Sequence, residues 1–353
     1  MDNLLEKMIN EKRSQELMRL NAINIVDSLF SELLDREKDI LSRRFGLKGN
    51  KGETLEKIGG LHKLTRERVR QIEVASIKKI KKLDKLESSI VTLREVVQSL
   101  LTDHGGLISR DYMLDILTVI CLEIDSESAN NQANAADDRF DYGIKRQAYR
   151  NHFNFLLSKL MNEDLELVED SDNFNSSFKN KNEDVHHLEE LAEDLLKKVD
   201  GLKKTFTTEE LFNLLKNLEA YNKHQTKLES RVGADIPAVF KSQIFPDKAD
   251  LINNNKLLYS LMQAIKDIEQ NKYGEWGLAD WGEINPKTVN DKIYLVLKHS
   301  GSPLHFTEIA KKINEMKFDR KTANAATVHN ELILDDRYVL VNRGTYGLKE
   351  WKK

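Results

Sequence analysis

The chain has 353 residues, 40% of them hydrophobic, with sixteen glycines, four prolines and one cysteine. That length and apolar share predict more than one packed core, and the lone Cys121 excludes an intrachain disulfide framework or a cysteine-based zinc site. Fifty-five Lys and Arg against 58 Asp and Glu leave a net charge of −3, so nucleic acid is not advertised by the chain as a whole. The opening residues do not read as a signal peptide and no apolar run approaches membrane length, which predicts a soluble, cytoplasmic protein with no membrane partner.

In chain order, residues 1–33 place Leu4, Leu5, Met8, Ile9, then Leu17, Leu20, Ile23, Val26, Phe30 and Leu33 at helical spacing. One or two helices that lean on the following module are expected. Three segments come next: Leu34 to Leu47, Thr54 to Gly59, and Leu64 to Glu73. In the third, Thr65 is a candidate N-cap and Glu67 lies in the first turn, where the helix dipole favours an anion. Val69 and Ile72 fall on one face and can bury. Arg66 with Arg70, and Glu67 with Gln71, stand one turn apart on the other face. Those are side chains that read base edges, since arginine fits guanine while Glu and Gln supply complementary acceptors and donors.

By itself such a face reads equally as a solvated one laced with i,i+4 pairs. The order of the flanking pieces favours the first reading. The preceding helix offers Leu55, Ile58 and Leu61 for packing, with Gly59 small enough for a close helix crossing. The turn from Gly60 to Lys63 follows, with Lys63 where many helix-turn-helix proteins place a left-handed glycine. From Lys63 to Lys85 there are nine Lys and Arg against three Asp and Glu, a local footprint for phosphates. Lys78, Lys79, Lys81 and Lys82 also lie near a helix C-terminus, where cations are favoured anyway.

Together these segments resemble region 4 of the housekeeping sigma factors of bacterial RNA polymerase, over roughly the first quarter of the chain. The resemblance implies a second helix that enters the major groove of a −35 promoter element. It implies that Arg66, Glu67 and Gln71 face bases, while Arg68 and Arg70 hold phosphates or acidic neighbours. Thr65 and Lys78 complete the candidate DNA-binding set. It also implies docking on the flap of the RNA polymerase beta subunit through apolar residues of the first helices. Leu34, Ile40, Leu41, Phe45 and Leu47 are available there, though most must serve the core. Residues 1–33 do not resemble the promoter-melting region, which carries clustered exposed aromatics, because Phe30 is the only aromatic before Phe45.

Downstream, Ser109 can cap a helix bearing Met113, Ile116, Leu117 and Ile120. Two polar stretches, Asp125 to Gly143 and Glu169 to Asp184, are predicted as long loops or linkers. Between them a helix carrying Phe153, Leu156, Leu157 and Leu160 precedes a strand-like Leu165 to Val168. Helices closed by a short hairpin suggest a winged helix. A faint repeat agrees, since Glu275 to Trp281 (EWGLADW) recurs as Thr345 to Trp351 (TYGLKEW). Upstream of each copy, Phe206-Thr207 and Phe306-Thr307 read as helix starts after a short strand, with Thr207 and Glu210 as a capping box.

The last copy, Val289 to Trp351, resembles the HARE-HTH winged-helix domain through Ser302 to Phe306, Thr327 to Leu332 and Tyr346 to Leu348. That family includes the delta subunit of bacterial RNA polymerase and domains fused to chromatin and restriction proteins. Here Lys311, Lys312, Lys317, Arg320, Lys321 and Arg343 could meet phosphates, and Asn324 and His329 could face a groove. Glu331, Asp335 and Asp336 sit among them, so DNA and protein contacts both stay open. His305 and His329 are expected to be structural rather than metal ligands.

No catalytic constellation stands out. Gly49, Gly52, Gly59 and Gly60 fit no phosphate-loop or dinucleotide spacing, and the adjacent His186 and His187 diverge on a helix. No enzyme activity, cofactor, metal or small-molecule substrate is expected. The predicted fold is mainly α, a helix-turn-helix module followed by winged-helix domains with small wing hairpins. Expected divisions are 1–95, 96–182, 183–282 and 288–353. The expected function is a DNA-binding transcription factor that reads a −35-like element in promoter DNA and associates with core RNA polymerase. The alternative is a polymerase-binding protein that modulates sigma factor or polymerase without reading sequence.

Overall fold

The computed structural model describes residues 19–129, 138–229 and 249–351. Leu4, Leu5, Met8, Ile9 and Leu17 lie outside them. The fold is mainly helical with short antiparallel sheets, and the chain divides into two compact units. One comprises residues up to Val185 together with Thr226–Ala264, the other His186–Gln225 together with Ile265–Lys353.

In the first unit, α1 (Ala22–Phe30) buries Ala22, Ile25, Val26, Leu29 and Phe30. The helix-turn-helix follows as α2 (Asp35–Phe45), α3 (Leu55–His62) and α4 (Arg66–Lys81). Each start satisfies orphan backbone donors. Glu37 accepts from the Leu34 N–H at 2.8 Å, Thr54 from Lys57 at 3.3 Å, and Thr65 from Arg68 at 3.2 Å. α2 stops at Gly46 with φ 65°, where a Cβ would lie 2.1 Å from the Asn50 carbonyl oxygen. α3 stops at Lys63, which takes up the left-handed conformation of the turn (φ 55°, ψ 45°) without being a glycine. Ile40, Ile58 and Val69 meet fully buried between the three helices, with Leu55, Leu64 and Ile72 packed around them. Each such burial contributes roughly 1.5–3 kcal/mol. Leu61, expected in this packing, is 56% exposed, because at the last turn of α3 it points away from the crossing.

The next elements are α5 (Lys85–Asp103), β1 (Leu107–Ser109), α6 (Arg110–Ala129), α7 (Asp138–Phe155), a π-type turn over Leu156–Leu160, β2 (Leu165–Val168) and β3 (Ser177–Asn180). Ser109 accepts from the Tyr112 N–H at 3.2 Å, and Met113, Ile116, Leu117 and Ile120 are buried. The sheet order is β1-β3-β2, with Phe178 opposite both Ile108 and Leu167. This helix–strand–helix–helix–hairpin order is that of a winged helix.

Two polar stretches depart from the linker expectation. α6 runs to Ala129 and α7 begins at Asp138, so only 130–137, outside the described residues, separates them. Ser, Ala and Asp there mark solvated helix rather than loop. Within Glu169 to Asp184 lies β3, the central strand of the sheet. A strand of four residues with Ser177 and Phe178 as its buried pair leaves little apolar signal amid polar flanks.

The first unit also holds α8 (Lys256–Ala264), set on β1. Ser260 Oγ donates to the Leu107 carbonyl at 2.8 Å, and Tyr259 meets Tyr112 edge-on with centroids 5.4 Å apart. Gly105 (φ 85°) lies against Leu257, where any Cβ would approach within 2.7 Å.

In the second unit, α9 (His186–Leu202) and α10 (Thr208–Lys216) precede the hairpin of β4 (Ile268–Gln270) and β5 (Trp276–Leu278). Phe206 bridges to Trp276, and Thr207 and Glu210 form the expected capping box. The C-terminal module runs α11 (Val289–Ser300), β6 (Leu304–His305), α12 (Phe306–Met316), α13 (Ala325–Leu334), β7 (Tyr338–Asn342) and β8 (Thr345–Leu348), with sheet order β6-β8-β7. Its core joins Ile293, Val296, Ile309, Val328, Tyr338 and Leu348 among others. The sequence repeat has a structural cause. A Cβ on Gly277 would press on the Trp281 ring at 2.9 Å, and one on Gly347 on the Trp351 ring at 3.1 Å. In both hairpins the glycine lets an indole fold back over the strand.

Candidate nucleic-acid interface

α4 divides cleanly along its length. Val69, Ser76 and Ile80 face inward, fully buried. The Ser76 hydroxyl donates to the Ile72 carbonyl at 2.7 Å, which satisfies it inside the packing. Thr65, Arg66, Glu67, Arg68, Arg70 and Gln71 are all exposed on the first two turns, and Lys78 is exposed further along.

Their side chains pair with one another and with α3. Arg66 Nη1 is 3.1 Å from Glu56, with the Arg66 side chain 70% exposed. Glu67 accepts two bonds from Arg70, at 2.8 and 2.7 Å. Hydrogen bonding from Arg70 holds the Glu67 carboxyl below the usual carboxylate range. Arg68 donates to Gln71 at 3.1 Å. Such exposed pairs are worth at most about 1 kcal/mol each, so the cations can exchange these partners for phosphates at little cost. Gln71 and Glu67 thus lie in the set as expected, while Arg66 is held by an acidic residue of α3 that the sequence reading did not single out. The basic run at the C-terminal end is not one patch. Lys79 stands 3.6 Å from Glu37, Lys81 donates to Asn162 at 2.6 Å, and Lys78 is exposed.

Behind this face a polar brace fixes the three helices. Asp39 accepts from Arg43 at 2.8 Å and lies 2.9 Å from His62 Nε2, while Arg36 donates to the His62 carbonyl at 3.0 Å. Partial burial pushes the Asp39 carboxyl up, but the bonds from Arg43 and His62 outweigh it and hold it low. Arg44 reaches Glu73 of α4 at 3.4 Å.

Sequence reasoning missed a second brace. Asn151 of α7 donates to the Gly46 and Asn50 carbonyls at 2.7 and 2.9 Å, and Phe155 packs on Phe45 with centroids 4.8 Å apart. The partners are a hundred residues apart, so no local pattern signals them. This changes the apolar set expected to be free for docking. Ile40, Leu41 and Leu47 are buried, Phe45 is half-buried beneath Phe155, and of the five only Leu34 is exposed, at 68%.

In the C-terminal module, both residues expected to face a groove are spent internally. Asn324 caps α13 by accepting from the Ala326 N–H at 2.9 Å, and His329 lies 3.1 Å from the Tyr346 hydroxyl. His305 caps α12, with Nδ1 2.7 Å from Thr307 Oγ1. α13 itself carries no Lys or Arg. Arg343 stands in the wing turn between β7 and β8, exposed. Among the described residues no group of three or more His, Cys, Asp or Glu is gathered to hold a metal ion, and no helix is long and apolar enough to cross a membrane.

Comparison with known proteins covers the two ends of the chain. The family model for Sigma-70, region 4, matches residues 29–82. That for HARE-HTH, the helix-turn-helix domain named for its occurrence in ASXL proteins and restriction endonucleases, matches residues 287–351. The RNA polymerase sigma factor SigA of Lactococcus lactis subsp. cremoris is 46% identical over 56 residues, 16% of this chain and 15% of that protein. SigA of Microcystis aeruginosa is 40% identical over 68 residues, 19% of this chain and 15% of its own length. The chain therefore spans about 15% of the length of these curated relatives. No solved structure matches. Residues 29–82, which contain α2, α3 and α4, are thus similar to sigma-70 region 4, and residues 287–351 to the HARE-HTH module, with 83–286 outside both matches.

Proposed function

We propose that this protein is a DNA-binding transcription factor that reads a −35-like promoter element through α4 and associates with RNA polymerase. The observation that carries the reading is the first two turns of α4. Arg66, Glu67, Arg68, Arg70 and Gln71 stand exposed there on a helix fixed by Ile40, Ile58 and Val69. Arg66, Glu67 and Gln71 would meet base edges, with Arg68, Arg70 and Lys78 on phosphates and Thr65 holding the helix start. The similarity to sigma factors supports this, and their polymerase supplies the partner. The four divisions 1–95, 96–182, 183–282 and 288–353 are part of the same proposal.

The test compares full-length protein with Arg66→Ala and Gln71→Ala on a library of duplexes. Each variant should relax base preference at one position by about 1–3 kcal/mol. Equal binding of all three to every duplex would overturn the reading. Mapping of genomic occupancy should then return peaks that share one hexamer.

A second reading, polymerase binding without sequence reading, draws on the C-terminal module. Ile333 and Leu334 at the end of α13 and Leu340 and Val341 on the outer strand β7 are exposed, and exposed apolar patches suit protein partners better than phosphates. A pull-down with core polymerase that recovers none of the protein would sink it.

A further inference from the structure

α7 holds the position in the first winged unit that α13 holds in the last one, the second of two helices before the hairpin. It is not available to enter a groove in the same way. One side of it lies along the loop that joins α2 to α3. Ile144 closes on Gly49, where any Cβ would meet Ile144 at 2.8 Å, and seven residues on Asn151 takes the carbonyls of Gly46 and Asn50. Two anchors about 10 Å apart on a straight helix leave α7 and the loop no independent motion.

The anchoring sets cations beside one another. Lys48 and Lys51 are exposed on the loop, just ahead of the Thr54 cap of α3. Lys145 and Arg146 are exposed on α7, directly after the Ile144 anchor. Nearby carboxylates are already engaged. Glu53 lies 2.8 Å from Lys57 and 3.6 Å from Arg43, while Asp115 pairs with Arg150 and lies 3.7 Å from Arg146. The result is a cationic strip that continues the helix-turn-helix surface onto the appended unit, with no partner groove and no apolar seat. Duplex DNA, with one charge per about 1.7 Å of axis, fits such a strip through its backbone alone.

We infer that Lys145 and Arg146 of α7, locked to the Lys48–Lys51 loop, contact the DNA backbone beyond the element that α4 reads, so that the first winged unit lengthens the footprint without reading sequence. This rests on the reading of α4 given above, and the experiment separates the two. A duplex selected by the full chain from a randomised pool is trimmed to about one helical turn and compared with the same site extended by about one turn on either side. Lys145→Glu should weaken binding to one extended duplex on the order of fivefold and lower its salt slope by about one, with the trimmed duplex unaffected. Arg66→Ala should weaken both. If Lys145→Glu and a Lys145→Glu/Arg146→Glu double variant match wild type on both extended duplexes while Arg66→Ala weakens them, the inference fails and the α4 reading stands. If wild type selects no duplex, both fail. Lys145 is exposed, so the substitution leaves the packing intact, and amide exchange of α7 in the full chain checks this.

Discussion

Adjacent glycines in α3 should respond oppositely to the same substitution. Gly59 is buried at the α3–α4 crossing, where a Cβ would stand 2.6 Å from the Leu64 carbonyl oxygen. Gly60 is exposed, with nothing within 4 Å of a Cβ. Both lie inside a helix, so alanine gains about 1 kcal/mol of helix propensity at either position. At Gly60 that gain stands alone and the variant should be about 1 kcal/mol more stable locally. At Gly59 the backbone must shift, an overpacking cost of about 1–3 kcal/mol, which leaves a net loss of up to about 2 kcal/mol. The propensity gain cancels between the variants, so their difference isolates the crossing contact. With two compact units in the chain, a global melt is a poor reporter. Native-state hydrogen exchange at the Leu64 amide, bonded to the Gly59 carbonyl at 2.8 Å, reads the local opening directly. Gly59→Ala should speed that exchange and Gly60→Ala slow it. Indistinguishable protection in the two variants would refute the close crossing as the element that sets the α3–α4 angle.

Thr65→Ala removes the α4 cap and should cost about 1 kcal/mol in the same exchange experiment, greatest over Val69 and its neighbours and absent from the C-terminal module. His104 is buried against Tyr112, and burial lowers its pKa from 6.5 to about 4. The unfolded chain therefore binds the proton more readily, so its contribution is present above pH 6.5 and is lost as pH falls towards 4, by on the order of 3 kcal/mol. Denaturation of the full chain across that window should show the loss, and His104→Gln should remove much of the slope. Gly344 has φ 66° with His305 Nε2 2.5 Å from where a Cβ would sit, so Gly344→Ala should displace the wing turn and broaden the amide signals of β7 and β8. Unchanged spectra would remove the turn's dependence on that glycine.

The sequence alone determined the elements whose cause is local. Thr54, Thr65 and Thr207 cap where short-range chemistry says they must, and Val69 and Ile80 bury because helical spacing puts them on one face. The EWGLADW repeat announced two hairpins because glycine, strand and indole lie within seven residues of one another. The candidate DNA-facing residues Arg66 to Gln71 were legible for the same reason, since exposure follows from helix phase once Val69 is inside.

What only the tertiary structure decided is long-range. Leu61 has the phase of a core residue but the crossing ends before it. β3 carries two buried side chains and becomes a strand because β1 and β2 supply its partners on either side. Asn324 and His329 look like groove residues until the cap and Tyr346 claim them. Most of all, the clasp of Asn151, Ile144 and Phe155 on the loop after α2 joins residues about a hundred positions apart, where side-chain identity says nothing about who will be near. Local capping and periodicity act within a few residues of backbone, whereas that clasp exists only once separate cores have formed and pressed their surfaces together.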